Sequence, residues 1–389
     1  MANLLRWLTA KLDIGRGGQE NIRCLEGLCG FAVLLVFFVH YIVLGSAALK
    51  GGTWTFELAH GIHNIGHTGV DLFFVLSGFL IYGSLLQKPR RFTTYFARRI
   101  ERIYPTFLVV LGIYLLLFFG FPEQSKLLGD TPHAILYLVQ NLLLLPGIFP
   151  LIPIIAVTWS LSYEMFYYLA IPLVISGLRL RLWNSEIRMF FFLILSGGFI
   201  LYCSIFGGLV RLAMFGAGIV LYELLATRDL RNFPNGAGIF AWLVGMLIIL
   251  LIPQVQMGIF IVQSNFWSAV RSTVLFIALF LLCLDCFSDR QHLTARLFTY
   301  KPIRYFGNIS YSYFLIHGLA LHAYFWLLYK FIPVGSLSQT GFWIGVPVSF
   351  ILTVISALVL YLSVERPFSI FPVRTRNTSS AQLVDTTPR

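Results

Sequence analysis

Charge is what this chain has least of. Only 11% of its 389 residues are Asp, Glu, Lys or Arg, against 58% apolar residues and a mean hydropathy of +0.81. So few polar side chains cannot cover a water-exposed globule of this size, which excludes a soluble fold. Cysteine is scarce too: the five, Cys24, Cys29, Cys203, Cys283 and Cys286, lack the spacing of a disulfide or zinc framework. Cys283 and Cys286 have CxxC spacing, but inside an apolar run they read as small packing residues. The first 25 residues hold no short apolar core followed by a small-residue cleavage site, so no removable leader is expected. Alternating segments of barrel-strand type are missing, because stretches such as 266–287 are apolar on every face. No internal repeat and no soluble second domain stand out.

What the chain does have is a series of apolar runs of about 18 residues or more, each able to cross a bilayer as a helix. They predict an all-α integral membrane fold with about ten transmembrane helices, at 26–47, 67–86, 103–121, 158–177, 189–206, 208–226, 237–253, 266–286, 304–329 and 340–363. A further apolar piece, 133–150, is interrupted by Asn141 and bounded by Pro132, Pro146, Pro150 and Pro153. It reads as re-entrant or interfacial; counted as a span, it would invert every later one. The expected division is a cytoplasmic N-terminal segment 1–25, a transmembrane domain 26–368 and a disordered cytoplasmic tail 369–389, which is rich in Thr, Ser and Arg.

Charge placement orients this arrangement. With the N-terminus inside, 23 of the 28 Lys and Arg fall on the inner side. That is the positive-inside pattern, and it predicts a multi-pass protein of the cytoplasmic (inner) membrane with both termini cytoplasmic. The net charge of +12 then reports topology and contact with anionic membrane lipids. It is no nucleic-acid signal, since the basic residues are spread over six separate segments.

Ionisable side chains inside a bilayer are costly, so each is a functional candidate. His40, Asp71 and Glu164 fall at similar, outward-displaced depths in the first, second and fourth spans. A histidine near carboxylates is a general-base arrangement, and the same polar set would also serve to pin helix packing. On the inner side, Arg90, Arg91, Arg98, Arg99 and Arg102 crowd the segment before the third span. Arg99 and Arg102, three residues apart, share a helix face and suit phosphate recognition, while lipid headgroups account for the rest. His60, His63 and His67 in the first outer loop fix no fourth zinc ligand. They read as solvated loop residues or as the lining of an entrance, and no metal is predicted.

Several stretches now fall into a known order. They are Leu25-Glu26-Gly27-Leu28 running through to His40, Gly69-Val70-Asp71-Leu72-Phe73-Phe74-Val75-Leu76-Ser77-Gly78-Phe79-Leu80-Ile81 and Arg99-Ile100-Glu101-Arg102-Ile103-Tyr104-Pro105. Trp159-Ser160-Leu161-Ser162-Tyr163-Glu164, Ile309-Ser310-Tyr311-Ser312-Tyr313-Phe314-Leu315-Ile316-His317 and Val364-Glu365-Arg366-Pro367-Phe368 follow. This ordered set, over roughly 21–370, resembles the membrane-bound acyltransferase family 3, whose bacterial members O-acylate surface glycans, lipids and other small acceptors. The resemblance implies an acyl-CoA donor, usually acetyl-CoA, entering from the cytoplasm, and a hydroxyl acceptor on a glycan or glycolipid at the other face. By position it makes His40 catalytic, with Asp71 and Glu164 in polar positions around it. Arg99 and Arg102 would bind the CoA phosphates; Trp159, Ser160, Ser77 and His317 would stand on the substrate side.

One position departs from the family pattern. Where the family has an arginine eleven residues before the histidine, this chain has Cys29. Arg23, six residues earlier, takes that place only if the helix entry bends. An acyl-carrying thiol at Cys29 is a weaker reading than a lost arginine, because a thiol in apolar surroundings is inert. Two readings of other kinds stay open: a transporter or flippase of a lipid-linked sugar, which usually shows repeated halves, and a catalytically degraded member serving as a partner or scaffold. Any further transfer step outside the membrane would need a separate extracytoplasmic partner protein.

Overall fold

A computed structural model of the protein describes residues 2–13, 21–127, 131–230, 232–252, 255–257, 260–262, 264–333 and 337–370. The expected tail, 369–389, lies outside these beyond residue 370. The long apolar runs all become helices: α1 (Ala2–Leu12), α2 (Asn21–Gly45), α3 (Trp54–Gly66), α4 (Thr68–Gln87), α5 (Phe92–Gly120), α6 (Thr131–Leu142), α7 (Thr158–Gly177) and α8 (Ser185–Phe206). Then come α9 (Ala213–Thr227), α10 (Ala237–Leu251), α11 (Asn265–Ser288), α12 (Leu293–Phe298), α13 (Lys301–Asn308), α14 (Ser310–Phe331) and α15 (Gln339–Leu360), which runs into a π-helical stretch, Tyr361–Ile370. A short antiparallel ribbon pairs Val255–Met257 with Phe260–Val262 between α10 and α11.

The protein is an all-α, multi-pass membrane protein, and each of the ten expected spans coincides with a helix. Among the described residues, seven stretches are long and apolar enough to cross a membrane: Arg23–Ala48, Trp54–Gln87, Phe92–Gly120, Ser185–Phe206, Val210–Thr227, Asn265–Ser288 and Gln339–Ile370. The other three expected spans are α7, α10 and α14. α10 is short at 15 residues. α7 and α14 have the length, but their apolar character is diluted by buried polar residues such as Ser160, Ser162, Ser312 and His317. The loop between the first two expected spans is also more ordered than its sequence indicated. It contains α3, on which His60 and His63 are buried rather than solvated.

The segment 133–150 does not cross. α6 is only 12 residues long, and the chain turns back through Leu144 at φ 54° and Gly147 at φ 100°. Asn141, the polar interruption, ties the two limbs together. Its Oδ1 accepts from Ile154 N–H at 2.8 Å and its Nδ2 donates to Tyr137 O at 3.0 Å. Lys126 donates to Pro153 O and Ile154 O, at 2.8 and 3.2 Å, and burial holds its pKa below the usual lysine value. At Gly147 the positive φ and the closeness of Trp159 O, 2.5 Å from where a Cβ would stand, both require glycine. This return places Trp159 at the mouth of α7.

Glycines also set how closely the spanning helices meet. A Cβ at Gly27 would lie 1.8 Å from Phe298 O, one at Gly30 2.1 Å from Ile303 O, and one at Gly307 1.6 Å from Glu26 O. α2 therefore packs backbone to backbone on α12 and α13, as small-residue seams allow in membranes. Gly69 does the same against Ala32 of α2, and Gly78 and Gly218 join α4 to α9. Buried charges staple the same end of the bundle. Arg304 Nε and Nη2 donate to Glu26 Oε2 at 3.0 and 2.8 Å, and Glu365 accepts from Ser312 N–H and Oγ–H at 3.0 and 2.6 Å. Gly307→Ala should therefore lower the melting temperature of the detergent-solubilised protein sharply, since forced overpacking costs about 1–3 kcal/mol or more. Gly318→Ala, with nothing within 4 Å of its Cβ, should leave it unchanged or raise it. Equal melting of the two variants would refute the seam.

Candidate active site

A cavity of about 370 Å³ lies among α2, α4, α5, α7 and α14. Each helix presents one face to it. α7 contributes Ser160, Leu161, Glu164 and Tyr168, spaced as one side of a helix, and α5 contributes Arg99, Arg102 and Ile103. α4 supplies Phe73, Ser77 and Leu80, α2 supplies Cys29, and the start of α14 supplies Ser310, Tyr311 and Phe314. Ser77 Oγ donates to Glu164 Oε1 at 3.0 Å, and Tyr168 Oη donates to the same oxygen. The Arg99 guanidinium carbon lies 5.4 Å from the Tyr95 ring centroid and 5.2 Å from that of Tyr168. Two aromatic faces thus hold a cation, an arrangement favoured by the ring quadrupoles. Arg99 Nε is buried with no hydrogen-bond partner. Tyr311 Oη donates to Ile103 O at 2.7 Å, which locks α14 to α5 at the basic end.

The opposite end of the cavity is aromatic. Phe73 and Phe314 both line it and meet edge to face at 6.0 Å. Behind them, the Phe314 ring lies 6.2 Å from the ring of His317, which in turn meets His40 at 4.8 Å and 85°. The hydrogen bonds of this pair assign its protons. His40 Nδ1 is 3.0 Å from Val36 O, and His317 Nδ1 is 2.9 Å from Tyr313 O. A carbonyl only accepts, so both Nδ1 atoms carry hydrogen. In the neutral rings each Nε2 then has a lone pair. That of His317 faces His40 Nδ1 at 3.3 Å. Among the described residues that of His40 has no such partner, which leaves a basic nitrogen open.

A third polar group gathers where α4, α7, α9 and α11 begin. Asp71 is buried, with Arg211 Nε 3.6 Å from its Oδ1, and neither of its oxygens has a hydrogen bond. Arg211 lies over the Trp159 ring at 5.3 Å. Arg271 Nη2 donates to Asn64 O at 2.7 Å and Nη1 to Asn64 Oδ1, while His63 and His67 meet edge to face at 4.7 Å.

Six of the residues singled out from the sequence, Cys29, Ser77, Arg99, Arg102, Ser160 and Glu164, line one cavity. His40 and His317 pair beyond its aromatic end, Asp71 and Trp159 join Arg211 where α4, α7 and α9 begin, and Arg23 is exposed at the start of α2. The sequence grouped Asp71 and Glu164 with His40. In the structure the recorded partners of His40 are Val36 O and His317, and the two carboxylates turn to Arg211 and to Ser77 with Tyr168. Tyr168 and Tyr311 were missed. Arg211 and Arg271 carried the same signal as the other candidates, a charge at a span edge, but were given no role. Among the described residues, no group of three or more His, Cys, Asp or Glu is arranged to hold a metal.

The fold and this site define a polytopic membrane protein built round a basic internal cavity with a histidine pair at its far end. The chain belongs to acyltransferase family 3, whose acyltransferase domain matches residues 22–362. It is similar to the acyltransferase MdmB of Streptomyces mycarofaciens, at 36% identity over 154 residues, 38% of each chain. It is also similar to an uncharacterized protein of Haemophilus influenzae, at 35% identity over 118 residues, 27% of this chain and 48% of that one. The match thus spans less than half the length of either relative. No solved structure matches the chain. Nitrogen NMR of the ring-labelled protein should find His40 as the Nδ1–H tautomer, with Nε2 unprotonated at neutral pH. A proton on Nε2 in the neutral ring would overturn the assignment.

Proposed function

We propose that the protein transfers an acyl group, acetyl in the simplest case, from cytoplasmic acyl-CoA to a hydroxyl of a glycan or glycolipid on the opposite face of the cytoplasmic membrane. The observation that carries this reading is the single cavity that runs from two arginines to the aromatic wall in front of His40 and His317. Arginine pairs phosphate oxygens through its planar fork, and the partnerless Arg99 Nε is a buried donor awaiting such a ligand. At about 370 Å³ the space equals roughly a dozen waters, enough for the thioester arm of the donor but not for its nucleotide. The inner-side excess of Lys and Arg supports placing both termini, and with them the arginine end of the cavity, in the cytoplasm.

His40 Nε2 takes the proton of the acceptor hydroxyl as its oxygen attacks the thioester carbonyl. The positive charge this leaves on the ring is shared along Nδ1–H to the His317 Nε2 lone pair. As the carbon–sulfur bond breaks, the same proton passes to the departing sulfur, so His40 ends as it began. Glu164, with Ser77 and Tyr168 donating to it, forms a polar stripe across an otherwise apolar wall. Cys29 lines that cavity where the family has an arginine; Arg99 and Arg102 supply its positive charge in this chain.

Transfer from labelled acetyl-CoA by the purified, reconstituted protein tests the reading. His40→Ala should lower kcat by about 10²–10⁴-fold, the usual contribution of a positioned base. Arg102→Gln should raise KM for the donor by about 10–100-fold, from the loss of charge-assisted bonds. Turnover that survives His40→Ala would sink the mechanism. Cys29→Ala should keep activity and show no acyl adduct on wild-type Cys29 by mass spectrometry. An adduct, with loss of turnover in the variant, would move the reaction onto the thiol.

A further inference from the structure

His40 does not line the cavity that would hold the acyl donor, and aromatic side chains stand between the two. Phe73 of α4 and Phe314 of α14 meet edge to face at the end of that cavity, with ring centroids 6.0 Å apart. His40 is partly exposed, so its open surface faces away from the cavity. On the α2 side the way between them is shut. Ala32, Val33 and Val36, which lie between Cys29 and His40, are buried, and a Cβ at Gly69 would stand 2.4 Å from Ala32 O. A thioester carbonyl in the cavity therefore reaches His40 Nε2 by passing the aromatic pair.

The two rings are not equivalent. Phe314 is 7% exposed and touches two rings, that of Phe73 and, at 6.2 Å, that of His317. Phe73 is only half-buried, its exposed edge faces the cavity, and its recorded ring partner is Phe314. A side chain with open space beside it changes rotamer far more readily than one held in a close-packed interior. Phe73 is thus the ring able to turn aside, and Phe314 the fixed ring on which it closes. The opening made by one turned ring is narrow and apolar, so it selects by size. A two-carbon acyl group passes, whereas a longer chain meets Phe314.

We propose that Phe73 and Phe314 are the specificity-determining residues for the acyl group, the Phe73 ring opening to pass a short chain to His40 and holding back longer ones. This rests on the acyl-CoA reading above and deepens it, since it fixes the donor class as short-chain acyl-CoA.

The test compares acetyl-CoA with butyryl-CoA as donors for the reconstituted full chain. It also compares binding of the unreactive thioethers S-ethyl-CoA and S-butyl-CoA by calorimetry. Wild type should favour acetyl over butyryl by about tenfold or more in kcat/KM, the usual worth of methylenes that a pocket refuses. Phe73→Ala should raise the butyryl-to-acetyl ratio by about tenfold and tighten binding of S-butyl-CoA relative to S-ethyl-CoA. Phe73→Leu should move both ratios the same way by less, and it keeps the test open if the alanine variant fails to fold. Phe314→Ala should raise the ratio too, but with a lower kcat for both donors, because it also uncovers His317. Phe79→Ala, on the same helix but stacked on Phe287 outside the cavity, should leave the ratio as in wild type. Equal use of the two donors by wild type overturns the proposal. So does a ratio that both Phe73 variants leave unmoved, or that Phe79→Ala moves as far; acetyl transfer that continues then leaves the transferase reading standing alone. Thioether binding whose chain preference shifts with Phe73, without transfer from any donor, would uphold Phe73 as the ring that sets chain length and defeat the transferase reading. No binding and no transfer would defeat both.

Discussion

Helices inside a bilayer gain nothing from hiding apolar surface, because lipid tails are as apolar as leucine. Their association has to come from close backbone approach and from polar groups that find partners. Here the approach is made by glycine. With Gly27 and Gly30 of α2 against the backbone of α12 and α13, and Gly307 against Glu26, the rotation of α2 about its own axis is fixed. Gly69 then fixes α4 against α2, and Gly78 with Gly218 fixes α9 against α4. Once these rotations are set, each polar side chain has its direction set too. Cys29 and His40 on α2, and Asp71 and Ser77 on α4, take their directions from them.

Hydropathy made the membrane class and the helical segments legible in the sequence, because about 20 apolar residues have one structural use. The short return near Asn141 was legible for a related reason: proline and a polar residue spoil a span. Legible too were some residues of the cavity: Glu164 as a charge inside a span, which signals itself by its cost, and Arg99 with Arg102 as a basic pair before one, whereas Ser77, Ser160 and Cys29 came from the family resemblance. Partnership was less so. Trp159 and Glu164 sit five residues apart on α7, which turns their side chains about 140° from one another. One meets Arg211 and the other meets Ser77, although both fall at much the same nominal depth. Likewise His40 and His317 are 277 residues apart, and nothing local in either helix names the other.

Cys29 illustrates the same limit. Eleven residues bring it back to nearly the face of His40, but about 16 Å away along the axis. Sharing a face therefore did not mean sharing a neighbourhood. Cys29 lines the same cavity as Arg102 and Arg99, which is already clamped between two tyrosines. A third guanidinium there would face two like charges across a low-dielectric space, where such repulsion is poorly screened. A neutral side chain at position 29 is compatible with a cavity whose positive charge comes from α5.

The segregation of the carboxylates bears on how the histidine pair would work in the proposed transfer. A carboxylate beside His40 would draw a proton onto the ring and hold it there as an ion pair, which a low-dielectric interior strengthens. The base would then be spent before any acceptor arrived. The chain avoids this by pairing Asp71 with Arg211 and by giving Glu164 two hydroxyl donors. What touches His40 is a carbonyl and a second imidazole, and that hydrogen-bond sequence is complete with both rings neutral. The Nε2 lone pair therefore persists in the resting state. In the proposed transfer, positive charge would appear on the ring only while a proton is held there, and the neutral His317 would accept a hydrogen bond that strengthens as that charge forms. Stabilisation that grows with the charge, rather than preceding it, is what lowers a barrier instead of deepening a ground state.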